Sequence, residues 1–283
     1  MQELRQEYPL AGLLKVAKLA RSSFYYQLEV LRGGDKYEGL KARIRSIFHR
    51  HRGRYGYRRI TAVIRREGST VNHKTIQRLM CQLALKSMVR AKKYHSYQGE
   101  IGSSAPNVLQ RRFTADRPNQ KWVTDVTEFN VGGRRLYLSP ILDLYNGEIV
   151  AFETATRPLF KMIRGMLNRA FARLGPSDRP LLHSDQGWQY RMTLYHDALR
   201  RQAVTQSMSR RGNCLDNAVM ESFFGTLKAE FYHLNKFRDV AELRAGLRRY
   251  IHYYNHERIR LKLGGLSPVE FRSSPGASPA LRA

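Results

Sequence analysis

The sequence predicts an α/β protein, a mixed-sheet core with the element order βββαβαβα preceded by an all-α region of helix-turn-helix type. Three observations predict it. The front of the chain repeats apolar residues at helical spacing. Beyond residue 120 the pattern changes to extended apolar runs punctuated by Gly and Asn. Further on, short apolar runs alternate with amphipathic stretches, as strand–helix crossovers require.

Residues 1–32 hold two short helical stretches, 10–19 and 22–28, with a tight turn at Ala20 and Arg21. They form either a helix-turn-helix or an ordinary amphipathic hairpin. After Gly33, Gly34 and Asp35, residues 36–95 read as a three-helix unit with helices over 37–50, 57–67 and 75–85, the last capped by Asn72. Leu40, Ile44, Ile47 and Phe48, then Ile60, Val63 and Ile64, then Ile76, Leu79, Met80 and Leu83 are its apolar stripes. Arg58, Arg59, Arg65, Arg66, Lys74 and Arg78 lie off the stripes, free to meet phosphates. Cys81, set among Leu79, Met80 and Leu83, is expected to pack inside. Residues 96–118, polar and basic with breakers at Ser103, Ser104, Pro106 and Pro118, read as a linker.

The core is expected over 119–235. Strands 121–131 and 136–145 flank Gly132 and Gly133, a two-residue hairpin signal, and a third strand, 148–154, follows Asn146 and Gly147. A helix (160–174), a strand (180–184), a helix (190–201), a strand (203–208) and a long helix (216–235) complete the series. This is the order of the ribonuclease H-like fold, with helices on both faces of the sheet. Residues 236–283 add a C-terminal helix and a basic tail. Its stretch 250–260 alternates aromatic with basic side chains, suited either to stacking on bases or to packing.

The 283 residues carry 50 Lys and Arg against 23 Asp and Glu, a net charge of +27. No fold needs such an excess, and a polyanionic partner explains it. Residues 1–112 hold 24 basic and 7 acidic side chains (+17) and residues 113–283 hold 26 and 16 (+10), so the front looks like a nucleic-acid-binding region. An anionic membrane surface would call for a strongly amphipathic helix or a lipid anchor, and neither stands out. There is no run of about 18 apolar residues, and the start is polar and charged. A cytoplasmic, nucleoid-associated protein with no membrane partner is expected. Cys81 and Cys214 stand far apart and support neither a disulfide framework nor a zinc site.

Three acids stand where acids need a reason. Asp125 lies inside the strand Trp122, Val123, Thr124, Asp125, Val126, where a carboxylate is costly unless paired, bonded or bound to a metal. Asp185 ends the run Leu181, Leu182, His183, Ser184, and open sheets place ligand groups at strand ends. Glu221 sits in the long helix, sharing a face with Asn217 and Lys228, which at about 100° per residue fall within roughly 40° of it. Singly, these are a strand hydrogen bonder, a turn former and a surface ion-pair partner. Together, three converging carboxylates would repel one another unless divalent cations neutralised them. Hard oxygen donors with open positions suit Mg²⁺, with Mn²⁺ as a substitute, and two such ions suit phosphoryl transfer.

At these residues the chain resembles the integrase-core superfamily of DDE transposases and retroviral integrases, in which 35 residues commonly separate the last two acids, as they do between Asp185 and Glu221. It is most similar to the second-frame (OrfB) transposases of a large bacterial insertion-sequence family. KWVTDVTEF at 121–129, LSPILDLYNGEIVAF at 138–152, HSDQGWQY at 183–190, QSMSRRGNCLDNAVMESFFGTLKAE at 206–230 and YNHERIRLKLGGLSPVEF at 254–271 carry the likeness, which extends over almost the whole chain.

The resemblance implies metal-dependent DNA cleavage and strand transfer, with Asp125, Asp185 and Glu221 as catalytic metal ligands. It makes Lys228 the basic residue touching DNA near the active site, with Asn217 beside it; both alternatively read as ordinary surface residues. It implies element-end and target DNA as partners, at least a dimer on DNA, and a first-frame (OrfA) protein that supplies a leucine-zipper segment, since no heptad seam is found here. The His/Cys zinc module that opens retroviral integrases is missing from this sequence. A ribonuclease H-like nuclease shares the fold and the metals, and a catalytically silent DNA-binding regulator would have lost an acid. The extended phrases and the basic front favour the transposase.

Overall fold

The structure is a computed structural model that describes residues 3–88, 105–210 and 214–274. At the front, α1 (Leu10–Val16) and α2 (Arg21–Arg32) pack through Leu14, Phe24 and Leu28. Their turn lies over residues 17–20, with Lys18 in the left-handed region at φ 49°.

The three-helix unit follows as α3 (Glu38–Arg50), α4 (Tyr57–Arg66) and α5 (His73–Gln82), and Asn72 caps α5 by accepting a hydrogen bond from the Lys74 amide. Ile44, Ile47, Ile60, Ile64, Ile76 and Leu79 form its core. Cys81 is exposed, contrary to expectation. The buried face of α5 is set by Ile76, Leu79 and Met80, and the next residue turns away from it by about 100°.

Six strands form the sheet: β1 (Lys121–Thr124), β2 (Thr127–Val131), β3 (Arg134–Asp143), β4 (Ile149–Ala155), β5 (Leu181–Ser184) and β6 (Thr205–Met208). Across it run β4, β3, then β1 and β2 in line, then β5 and β6. β3 is antiparallel to its neighbours, whereas β1, β5 and β6 are mutually parallel. Gly132 and Gly133, at φ 56° and 78°, make the expected β2–β3 hairpin turn.

The single strand expected over 121–131 is broken at Asp125 and Val126. Register runs through the break, Thr124 opposite Ile141 and Thr127 opposite Leu138, so Asp125 faces Pro140. Proline has no N–H to donate, and the ladder opens there, freeing the Asp125 backbone from regular pairing.

Alternate residues of β1 point to opposite faces. Trp122, with Ile141, Val150 and Leu182, packs under α6 (Phe160–Phe171) and α7 (Thr193–Arg201). Val123, with Leu138 and Leu142, packs under α8 (Ala218–Glu230) and α9 (Val240–His256). The helix expected over 216–235 is shorter, with 3-10 turns at Cys214–Asn217 and Tyr232–Leu234 on either side of α8. Phe231 leaves the helical conformation (φ −132°, ψ −60°), and its ring stacks on Tyr250. The helix expected over 190–201 likewise begins at Thr193, behind a 3-10 turn at Trp188–Tyr190.

One further expectation changes and one open alternative is decided. Part of the linker, 96–104, lies outside the described residues, but 105–118 is laid against the core. Leu109 and Ala115 are buried, and the Val108 and Leu109 amides donate to Ser207 Oγ. In the stretch 250–260 the aromatics pack: Tyr250, Tyr253 and Tyr254 are buried in the core under α9. α10 (Pro268–Ser273), started by a Ser267–Glu270 capping box, closes the described chain.

The helical unit is docked on this core. Tyr55 Oη donates to the Glu257 carbonyl (3.2 Å) and accepts from the Ile259 amide (2.9 Å). Arg66 reaches the Gly265 carbonyl (2.9 Å), and Ile259 itself is buried among the unit's isoleucines.

Candidate active site

β1 and β5 lie side by side in parallel, Val123 level with His183, so Asp125 and Asp185 come level just past the ends of adjacent strands, one strand spacing of about 4.8 Å apart in the backbone. Asp125 Oδ1 accepts from the Val126 amide (2.7 Å) and Asp185 Oδ1 from the Gly187 amide (2.9 Å). A Cβ at position 187 would meet the Gln189 side-chain amide at 2.6 Å, so a larger residue there would displace that side chain.

Burial raises Asp125 well above the usual carboxylate range. The charges of Asp185 and Glu221 push it further, against the Val126 hydrogen bond and the Lys228 ammonium. Asp185 is also raised by burial, opposed by the Gly187 amide and Arg191. Tyr190 and Tyr195, wholly buried, are held neutral by burial and by the charge of Asp185. His183 bridges Ser207 Oγ (2.8 Å) and Ser209 Oγ (3.1 Å), and burial brings its pKa down to about 4, so a neutral ring braces the β5–β6 edge.

Glu221, half-buried in the first turn of α8, is near enough to act electrostatically on Asp125, yet it also lines the cleft between α8 and the helical unit. Among the described residues, no three His, Cys, Asp or Glu side chains are grouped closely enough to enclose an ion.

The remaining sequence-predicted residues divide. Lys228 is half-buried, its ammonium 5.5 Å from the Phe129 ring centroid. Arg58, Lys74 and Arg78 are exposed, Arg58 bonded to Tyr57 Oη (3.1 Å) and Arg78 over the Tyr37 ring. Asn217, read as a surface residue facing DNA, is buried: its Nδ2 donates to the Thr124 carbonyl (3.2 Å), tying the start of α8 to the end of β1. Arg59, read as free for phosphate, pairs with Glu230 (3.3 Å) and lies over the Tyr55 ring.

Glu230 is the residue the sequence reading missed. Buried at the end of α8, it accepts from Arg258 Nε (2.8 Å) and Nη2 (2.7 Å) and from Tyr250 Oη (3.2 Å), while its carbonyl accepts from Arg54 (3.1 Å). Burial works to raise its pKa, but Arg258, with Arg59 and Tyr250, holds it below the usual value. The available signal was an acid next to Ala229 at the end of an apolar helix, which asks for buried cations.

Comparison with known proteins agrees with this geometry. Residues 115–214 and 221–274 each match an integrase core domain family, and residues 36–93 match an HTH-like domain family. The chain is 55% identical over 273 residues to a putative transposase, InsK, for insertion sequence element IS150 of Escherichia coli, covering 96% of each chain. It is 36% identical to the transposase for insertion sequence element IS904 of Lactococcus lactis, covering 83% of this chain and 93% of that one. A probable transposase for IS1353 of Shigella flexneri is 39% identical, and the match spans 96% of this chain but 54% of that longer protein. A chain of the simian T-cell lymphotropic virus intasome, 19% identical, superposes with a TM-score of 0.50 over 83% of this chain and 75% of that one, which supports the fold alone. With these matches over nearly its whole length, the chain belongs to the insertion-sequence transposases built on an integrase core domain.

Proposed function

We propose that this chain is a DDE transposase that cuts DNA at the ends of an insertion sequence and joins the freed 3′ hydroxyl to another DNA phosphate. The observation that carries this is the pair Asp125 and Asp185, level at the ends of adjacent parallel strands, half-buried and raised in pKa, with Asp125 within electrostatic reach of Glu221.

The donor set fits a divalent cation. All three groups are hard oxygen donors, and the repulsion that raises Asp125 is what a cation relieves. Asp125, Asp185 and Glu221 would hold Mg²⁺, with Mn²⁺ as a substitute and two ions in all. When bound, such ions supply Lewis-acid stabilisation of the phosphate and an activated attacking oxygen. The chain's own part is positional. The β1 break at Pro140 frees the Asp125 backbone, the Gly187 turn aims Asp185, and Asn217 fixes the helix that carries Glu221.

Lys228 meets a DNA phosphate beside the acids, while Arg58, Lys74 and Arg78 meet phosphates through the helix-turn-helix-like unit. Asn217 and Arg59 serve as positioning residues instead. The chain acts on duplex DNA as at least a dimer, within the bacterial cytoplasm at the nucleoid, and works with a first-frame protein. The much longer IS1353 relative is consistent with fusion to such a partner. No described helix is long and apolar enough to cross a membrane.

A labelled element end incubated with the protein and Mg²⁺, with and without the first-frame partner, tests the proposal. Nicked and joined products that disappear with EDTA and in Asp185→Asn support it. Binding without any cutting or joining, partner present, rejects it.

A further inference from the structure

We propose that the cleft between the helix-turn-helix-like unit and α8 seats the sugar–phosphate backbone of the strand to be cut, so that the copy gripping an element end is the copy that cuts it. This rests on the transposase reading above and adds an arrangement that the reading leaves open, because the gripping unit and the acids could equally have served different copies.

The cleft has a volume of about 580 Å³. One wall is the start of α4, with Gly56, Tyr57 and Arg58. The other is the outer face of α8, with Glu221, Ser222, Gly225 and Thr226. The last three recur at i, i+3 and i+4, so the side of the helix facing the cleft is low enough for a sugar–phosphate chain to approach closely, with two hydroxyls to donate to it. Glu221 opens into the same space. A strand lying there therefore passes from Arg58 to the face of α8 that carries Glu221.

The charge in the cleft is apportioned. Arg54, Arg59 and Arg258 line it too, but Arg59 and Arg258 are engaged by the Glu230 carboxylate and Arg54 by its carbonyl. Arg58 is exposed, and the hydrogen bond it makes among the described residues is through Nε to the Tyr57 hydroxyl, so its terminal nitrogens would be the ones to take a phosphate. Glu230 thus ties the two walls together: its helix is one wall, and Arg54 and Arg59 belong to the other. A further tie, His51 Nδ1 to Tyr253 Oη at 3.2 Å, joins the helical unit to α9. Walls pinned in this way hold the gripping unit and Glu221 of one chain at a fixed spacing.

The test is complementation on a single labelled element end with Mg²⁺. Differently tagged Arg58→Glu and Asp185→Asn chains are mixed, and complexes holding both are isolated through the two tags. Arg58→Glu keeps the acids and Asp185→Asn keeps the cleft, but no copy has both. Cleavage is expected to stay at the level of the separate variants, about tenfold or more below wild type. Recovery to within a few fold of wild type overturns the proposal, because one copy's acids would then be serving DNA gripped by another.

Thr226→Trp, which fills the cleft without changing charge, is expected to behave as Arg58→Glu does. In metal-free buffer both are expected to bind the end more weakly than wild type or Asp185→Asn, and equal binding by all four overturns the proposal as well. Wild-type cleavage in the parallel reaction separates these outcomes from a failure of the catalytic reading.

Discussion

Two groups of acids around α8 are treated oppositely by the fold. At its start, Asp125 and Asp185 are raised in pKa, because burial and mutual repulsion outweigh what Lys228 and Arg191 provide. At its end, Glu230 is lowered, with Arg258 and Arg59 as fixed partners. Asp216, just before the helix, is also held low, by Arg210 first and by Arg111. An acid supplied with its cations by the chain is part of the framework. Asp125 and Asp185 receive too little positive charge from the chain itself, and in the function proposed above their cation comes from outside.

The largest effect that can break this contrast is on activity. Asp125→Asn or Asp185→Asn is expected to lower strand cleavage at least about a thousandfold. Thermal unfolding of the metal-free protein should show the same variants folded and as stable as wild type or more so, since each removes a repelling charge. A variant that loses both activity and fold would put these acids in the framework with Glu230.

Next in size is the framework itself. Glu230→Gln leaves Arg258 and Arg59 with a neutral partner in a buried site and is expected to cost about 3–5 kcal/mol of stability, read from denaturant unfolding. A loss near zero would mean that the lock is dispensable.

The pH dependence sharpens the comparison, because the two groups have opposite signs. Asp125 and Asp185 bind protons more tightly when folded. Their unfavourable contribution is therefore full above the raised pKa values and fades as pH falls from them toward 3.8. Glu230 binds its proton less tightly when folded. Its contribution is present above 4.5 and is lost as pH falls through the lowered value. In metal-free acid titrations, the stability gap between wild type and Asp125→Asn should close on acidification well before the gap between wild type and Glu230→Gln does. The reverse order would contradict the assignment.

The smallest effect concerns Asn217. Asn217→Ala removes one buried hydrogen bond to the Thr124 carbonyl and should cost about 1 kcal/mol. Cleavage should fall further than that loss of stability explains, because the base of the helix that carries Glu221 is loosened. Equal activity at equal folded fraction would show that the tie does not position the acid.

How much of this was legible in the sequence depends on the range of the interactions. Helical periodicity placed the three-helix core, the Asn72 cap and the two-faced sheet, because each is decided within a few residues. Pro140 was visible in the run that became β3, but that its missing N–H falls opposite Asp125 follows only from the pairing of the strands. Arg59 and Asn217 were misread because their partners, Glu230 and the Thr124 carbonyl, lie far away in the chain. The aromatics of α9 read equally well as a stacking surface until the sheet under them was in place. The spacing and element types of the three acids were legible in the sequence, whereas the way the Glu221 side chain also lines the cleft beside the helical unit is a matter of packing on which spacing is silent.

The measurement that tests the central claim most directly is the thermal stability of wild type, Asp125→Asn, Asp185→Asn and Glu230→Gln across a Mg²⁺ and Mn²⁺ titration at neutral pH. If the sheet-edge acids take their cation from solution, wild type and Glu230→Gln should each be stabilised, by about 2.7 kcal/mol at a hundred times the dissociation constant, while the two aspartate variants stay flat. A wild type that ignores the metal, or aspartate variants that respond as it does, would contradict the claim.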